Sequence, residues 1–188
     1  MAVTATNLIM GPGALYKGAF GATEPLDTAI NAAPPASAFT DLGGTNDGVS
    51  LAVDQEFADL TVDQVVDTIG RRLTKREMSF GTNLAEPTLE NFSLALNGGT
   101  IATGANFKSY EPVSSIAATQ ANYFSSILDG FAPGATVLTR RVIARKCLNI
   151  ETVEASYTKD GMTLIPVKFA SHWVSASIAP FKIIDQTS

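Results

Sequence analysis

Cysteine and histidine are nearly missing from this sequence: Cys147 and His172 are the single representatives of their types. One cysteine makes no internal disulfide, so a reducing compartment is the simple expectation. One histidine and one cysteine build no zinc site without rare carboxylate-rich ligation. A Cys147–His172 pair is available only formally. Nothing around Cys147 resembles a nucleophile motif, and a lone buried cysteine usually behaves as a small hydrophobe. His172, beside Trp173 in an apolar run, reads as a strand residue. Gly11-x-Gly13 lacks the third glycine and the following helix of a dinucleotide fingerprint, and there is no P-loop. Asp54, Glu56, Asp59, Asp63 and Asp67 lack the spacing and closing glutamate of an EF-hand. No catalytic set, cofactor or metal site is expected, and the chain reads as a non-enzyme. No segment approaches 18 uninterrupted apolar residues, so no membrane span is expected. Residues 1–6 have no basic region and no long apolar stretch, so no secretory leader is expected either.

Charge is also scarce. Asp, Glu, Lys and Arg make up 16% of the 188 residues against a usual quarter, while apolar residues reach 45%. A low-charge surface suits a subunit that buries much of itself against copies of itself. It also suits a well-packed monomer with a Ser/Thr/Asn-rich surface. The net charge of −5 argues against tight nucleic-acid binding, which draws on Lys and Arg. The length suits a single domain over 1–188.

The pattern that is present is mostly β. Apolar runs at 8–10 and 14–20 flank Gly11-Pro12-Gly13, a turn or bulge signal. Residues 21–38, with Pro34-Pro35, read as a long connection. A new extended segment starts at 39–43, and Asn46-Asp47-Gly48 is turn chemistry. Val49, Leu51 and Val53 alternate with polar or small residues as in a half-buried strand, followed by a mixed Val/Asp stretch that closes at Gly70. Residues 75–84 alternate throughout, with Met78, Phe80, Thr82 and Leu84 on one face. One helix is expected at about 87–97. It opens at Pro87, carries Leu89, Phe92 and Leu96 on one stripe, and stops at Gly98-Gly99. Further strands are expected at 101–110, 121–128, 136–148, 150–158, 162–174 and 178–184. Asp129-Gly130, Pro133-Gly134 and Lys159-Asp160-Gly161 punctuate them, the last as a hairpin turn. Eight to ten strands in runs with a single helix favour a sandwich or barrel over an α/β fold.

The few charges are segregated. From Gly18 to Gly70 there are nine acids (Glu24, Asp27, Asp41, Asp47, Asp54, Glu56, Asp59, Asp63 and Asp67) and no Lys or Arg. Arg71, Arg72, Lys75 and Arg76 then arrive together, and Arg140, Arg141, Arg145 and Lys146 form a second group. Two readings follow. Acidic and basic strands pair as neighbours within one subunit, or an acidic face of one subunit meets a basic face of the next. The second makes Asp54, Glu56, Asp59, Asp63, Asp67, Arg71, Arg72, Arg140, Arg141 and Arg145 the candidate inter-subunit contacts. Each exposed pair is weak, about 0.2–1 kcal/mol, but repetition sets register and partner choice.

The stretch FTDLGGTNDGVSLAVDQEFADLTVDQVVDTIGRRLTKREMSFGTNLAEPTLENFSLALNGGT, residues 39–100, resembles the major tail (tail tube) proteins of long non-contractile phage tails. The likeness lies in the Phe-Thr-Asp-Leu-Gly opening followed by Asp47-Gly48-Val49, in the acidic segment 56–67, and in 84–92 leading to Asn97-Gly98-Gly99. It covers about a third of the chain. The resemblance implies a β-sandwich or barrel of the phage tail-tube type with one short flanking helix. It implies self-assembly into stacked hexameric rings, with strands shared in an inner barrel and long loops tying the rings. Residues 21–38 and about 43–66 are then candidate inter-subunit arms. The implied partners are other copies of the chain, the tape measure, tail terminator and distal tail proteins, and viral DNA passing through the lumen without specific binding. The implied location is the virion tail, assembled in the host cytoplasm, with no membrane role. Geometry is consistent with this. About 16–18 strands enclose only a porin-like channel, so a conduit for duplex DNA needs several copies of a 188-residue chain. Acids on the lumen wall would let DNA slide, whereas a basic wall would hold each phosphate. Two alternatives remain open: a tail terminator or baseplate ring of the same fold, and a monomeric ligand-binding β-sandwich.

Overall fold

The computed structural model describes residues 4–114, 121–134 and 136–187. Among them it contains ten strands and one α-helix: β1 (Ala14–Ala19), β2 (Phe39–Asp41), β3 (Thr45–Val62), β4 (Val65–Leu84), α1 (Leu89–Ala95), β5 (Thr100–Thr103), β6 (Lys108–Glu111), β7 (Phe124–Ala132), β8 (Leu138–Asn149), β9 (Ile165–Ser171) and β10 (Phe181–Asp185). The expected fold class, mostly β with one flanking helix, is the observed one. Eight strands form one antiparallel sheet in the order β2-β1-β7-β8-β9-β4-β3, with β10 also on β8, and β5 and β6 pair separately.

The sheet curls around one core because β9 changes partners. It pairs with the end of β8 through Cys147, Leu148 and Asn149, then with β4 from Ser79 to Leu84. Ile165, Val167 and Phe169 alternate inward along it. They meet Met78, Phe80 and Leu84 of β4, Leu15 of β1, Phe124 and Leu128 of β7, and Val142 and Ala144 of β8. The Phe124 and Phe169 rings meet edge to face with centroids 4.9 Å apart. Leu94 and Ala95 of α1 close the cluster.

The opposite face of β1, β7 and β8 is covered as well. Phe39, Ile127 and Ile143 form a second small cluster there with Tyr16, Ala22, Ala38 and Ile184. Gly18 makes room for it, since a Cβ at that position would lie 2.7 Å from the Phe39 ring. The 21–38 connection lies across this face with Ile30 buried. Three cations tie it down. Arg145 pairs with Glu24, Lys182 pairs with Asp27, and Arg141 donates to the Ala32 carbonyl at 2.6 Å. The connection therefore folds back onto its own sheet.

Several local expectations change. Residues 8–10 are not strand. Asn46-Asp47-Gly48 makes a bulge inside β3 rather than a turn: Asp47 and Gly48 have φ of 64° and 75°, and the register slips between Asn46 and Ser50. The stretch 45–62 is one strand, and β4 runs through Gly70 without ending there. The helix is shorter than 87–97. Thr88 is its N-cap and accepts from the Asn91 N–H at 3.2 Å, so Pro87 precedes the cap instead of opening the first turn. The stop lies where it was expected, with Asn97, Gly98 and Gly99 all at positive φ. Residues 101–110 divide into β5 and β6. β7 continues through Asp129-Gly130, which pair with Arg141 and Arg140. Residues 150–164 contain no strand and no hairpin at Lys159-Asp160-Gly161. They form the loop between β8 and β9. Asn149 organises its base: the buried side-chain oxygen accepts from Lys168 N–H at 2.8 Å, and its amide donates to the Ala95 carbonyl at 2.7 Å.

Candidate assembly interface

β3 and β4, of 18 and 20 residues, outrun the sheet that carries them. β9 covers β4 only from Ser79 onward. From there to the turn at Asp63-Gln64 the two strands pair only with each other among the described residues. This distal ribbon has about 12 residues per strand and at 3.3 Å per residue reaches about 40 Å. Among the described residues both of its backbone edges are unpaired.

Its surface is apolar to a degree that its surroundings do not explain. Leu51, Val53, Phe57, Leu60, Val62, Val65, Val66, Ile69 and Leu73 are all exposed, Val66 fully and Phe57 at 53%. The register gives the pattern. Leu51 stands opposite Phe80 and Val53 opposite Met78, both core residues, so this face is the outward continuation of the core. An extra residue, Thr74, then interrupts β4, and its hydroxyl donates to the Glu56 carbonyl at 3.0 Å. The bulge resets the alternation so that Leu73 comes opposite Phe57 on the same side. The other face carries more of the charge: Asp54 stands opposite Glu77, Glu56 opposite Lys75, and Ala58 opposite Arg72, with Leu60 opposite Gly70 beyond them, while the Asp59–Arg71 pair lies on the Phe57 side.

The ten candidate contact residues divide into two sets. Asp54, Glu56, Asp59, Asp63, Asp67, Arg71 and Arg72 all lie on the hairpin. Arg71 pairs with Asp59 at 2.8 Å, and Lys75 lies 3.5 Å from Glu56 and 3.6 Å from Glu77. Lys75 is held more firmly protonated, first by the Glu56 charge and then by Glu77. Asp54, Asp63, Asp67 and Arg72 have no ion-pair partner among the described residues.

The second set, on β8, is engaged inside its own chain. Arg140 makes a two-pronged pair with Asp185 at 2.6 and 2.7 Å. That pair lowers the Asp185 carboxyl below its ordinary range and raises Arg140. Arg145 joins Glu24 and donates to the Ala179 carbonyl at 2.8 Å. Arg141 is 1% exposed and bound through Nε and Nη2 to Asp129 at 2.7 and 2.6 Å. Within the single chain, the neighbour-pairing reading describes Arg140, Arg141 and Arg145. Sequence reasoning missed their partners, Asp129, Asp185 and Glu24. These lie 12, 45 and 121 positions away from their arginines, and no local pattern marks such distant pairs.

Cys147 is fully buried, and burial pushes its thiol up to about 12. Its register partner is Ser171, so His172 follows on the other face, where its ring meets Tyr123 at 5.4 Å. The two do not form a dyad. Among the described residues no three His, Cys, Asp or Glu are grouped to hold a metal ion. No helix among them is long and apolar enough to cross a membrane.

No family model matches the chain, and no curated protein matches it. Among solved structures it is similar to a chain in the tail of an empty gene transfer agent particle refined with C6 symmetry. Identity is 10%, the match covers 92% of this chain and 96% of that one, and the TM-score is 0.36. It is also similar to a chain in the virion of a native gene transfer agent particle, at 10% identity, with 99% and 100% coverage and a TM-score of 0.39.

Proposed function

We propose that this chain is a structural subunit of a phage-type tail, one that polymerises through its β3–β4 hairpin into rings stacked as a hollow tube. The observation that carries this reading is the free-standing hairpin. A two-stranded ribbon alone in water is marginal at best, and it gains stability from a third strand or a packing partner. A long, exposed, apolar strand edge in an isolated protein is an aggregation hazard. Here nine large apolar side chains lie along such a ribbon. Covering their exposed area would contribute on the order of 10 kcal/mol per copy before the cost of association. Copies of the same chain are the simplest partner, because they supply matching edges and matching apolar faces at once.

Hairpins arrayed around an axis become the staves of a shared barrel, its apolar face toward the subunit bodies and its polar face toward the lumen. That polar face carries Asp54, Glu56 and Glu77 against Lys75 and Arg72, a near-balanced wall without a basic excess. Such a wall fits passage of DNA without retention. The likeness of residues 39–100 to tail-tube proteins of non-contractile tails points the same way. It carries the finer expectations: hexameric rings, genome ejection through the tube, and contact with tape measure, terminator and distal tail proteins.

Electron microscopy of the purified protein over a range of concentration and salt tests this. Hollow tubes or stacked rings are expected. Single rings that never stack would indicate a terminator or baseplate component. A strict monomer at every condition would overturn the reading. A companion variant with residues 53–76 replaced by a two-residue turn should stay folded and lose assembly.

A further inference from the structure

The hairpin carries charges that one hairpin leaves unsatisfied. Residues directly opposite on an antiparallel pair share a face and interact, and like charges there are destabilising. Asp54 stands opposite Glu77, and Arg72 opposite Ala58. Lys75, the cation nearest this acidic group, is already shared between Glu56 and Glu77. Asp54 is thus an acid opposite an acid, and Arg72 is a cation opposite a methyl group, both on the polar face.

The two strands also differ in sign along their length. Between Leu51 and Val62, β3 has Asp54, Glu56 and Asp59 and no cation; between Gly70 and Met78, β4 has Arg71, Arg72, Lys75 and Arg76 against Glu77. The ribbon therefore has one acidic edge and one basic edge, and the backbone of both is open.

We propose that β3 of one copy lies antiparallel beside β4 of the next, with Asp54 of the first meeting Arg72 of the second. The inference rests on the shared-barrel reading and adds its register and polarity. Hairpins pointing the same way around an axis bring an ascending β3 beside a descending β4, which is the antiparallel arrangement. The contact is heterologous, so it propagates from copy to copy, and it closes as a ring where the rotation between copies closes. Acidic edge against acidic edge and basic against basic are disfavoured, which steers copies away from symmetric dimers.

Charge exchange tests it. Asp54→Lys sets a cation against Arg72 of the next copy, and Arg72→Glu sets an acid against Asp54 of the copy before it. Each alone should raise the critical concentration for assembly about tenfold or more. Mixed one to one, the two variants bring the introduced lysine against the introduced glutamate at one contact and restore the original Asp54–Arg72 pair at the next. Assembly should then return to within about threefold of wild type. Asp54→Lys also places a cation opposite Glu77, so the unassembled variant should melt no lower than wild type, and a folding defect does not explain its loss. If either variant assembles alone as readily as wild type, or if the folded mixture does not recover, the proposed register is overturned while the barrel reading stands. A wild-type protein that never assembles overturns the barrel reading and the register together.

Discussion

The sheet formed by β1, β7 and β8 and the ribbon formed by distal β3 and β4 are built from the same kind of antiparallel ladder, yet their environments are opposite. In the first, Leu15, Leu128 and Val142 face one core and Ile127 and Ile143 face another, beneath the 21–38 connection. Each arginine there meets a carboxylate of its own chain: Arg141 that of Asp129, Arg140 that of Asp185, and Arg145 that of Glu24. In the second, apolar side chains stand in solvent, both edges are open, and acid lies opposite acid. The contrast teaches where each task resides. Stability of the single chain belongs to the sheet, and under the proposed function what the ribbon leaves unfinished belongs to assembly.

The sharpest way to break the comparison is to remove a partner from the covered region. Asp129→Ala leaves the Arg141 guanidinium buried without its carboxylate. Arg141 Nη1 is already buried without a hydrogen-bond partner, so the site has no spare acceptor. A loss of about 3–5 kcal/mol in urea unfolding is expected. Replacing both residues together, Asp129→Leu with Arg141→Met, should cost far less, because no uncompensated charge remains. A deficit in the double variant as large as in the single would show that the hydrogen bond to Ala32, and not the ion pair, holds the connection down.

A smaller effect is expected at the helix that closes the core. Thr88→Ala removes the acceptor for the Asn91 N–H and should lower stability by about 1 kcal/mol. A change below about 0.3 kcal/mol would mean that contacts of α1 with the sheet, not its cap, define where the helix begins.

Acid should act on the covered region through Asp185. Its carboxyl is held below the ordinary value of 3.8, chiefly by the hydrogen bond from Arg140. A group with a depressed folded pKa contributes stability above its unfolded pKa and loses it as the pH falls through the folded one. The β10 contribution should therefore be intact at pH values well above the ordinary carboxyl range and disappear as the pH falls below 3.8. The pair is more than one-third exposed, so the effect is modest and weakened by salt. Asp185→Asn should flatten that part of the acid profile. An unchanged profile would assign the acid sensitivity to other carboxylates.

The sequence disclosed the ladder and hid its partners, for physical reasons. Period-two alternation at 75–84 marks a half-buried strand because one face is apolar, and Asn97-Gly98-Gly99 marks a helix stop because glycine accepts positive φ. Three features depart from the sequence reading where local chemistry serves two ends. Asn46-Asp47-Gly48 supplies the left-handed backbone of a bulge as readily as that of a turn. Asp129-Gly130 is turn-like in composition yet lies mid-strand, because Asp129 answers a buried arginine. Residues 150–158 are β-rich, but the Asn149 side chain takes over the hydrogen bonds that another strand would make. The hairpin's acids were legible as a charge run. That Asp54 lies opposite Glu77 and Arg72 opposite Ala58 depends on register, which the extra residue Thr74 shifts and which no local pattern states.

The smallest effect on the single chain is expected where the apolar exposure is greatest. Phe57 and Leu73 stand opposite each other on the ribbon and are 53% and 42% exposed. Replacing a core phenylalanine such as Phe80, which is fully buried, with alanine would cost about 3–5 kcal/mol. Phe57→Ser should change the unfolding free energy of the unassembled protein by no more than about 0.5 kcal/mol, since surface positions away from packed features sit within that range. The same substitution should strongly raise the concentration needed for assembly, because Phe57 and Leu73 are the pair a neighbouring copy would cover. Measuring both on one sample separates the two regions directly. If Phe57→Ser destabilised the isolated chain by several kcal/mol, the ribbon would already be packed against its own body and the contrast would collapse. If it changed neither quantity, the apolar face would have no part in assembly, and edge pairing between hairpins would have to hold the copies together by backbone and charge alone.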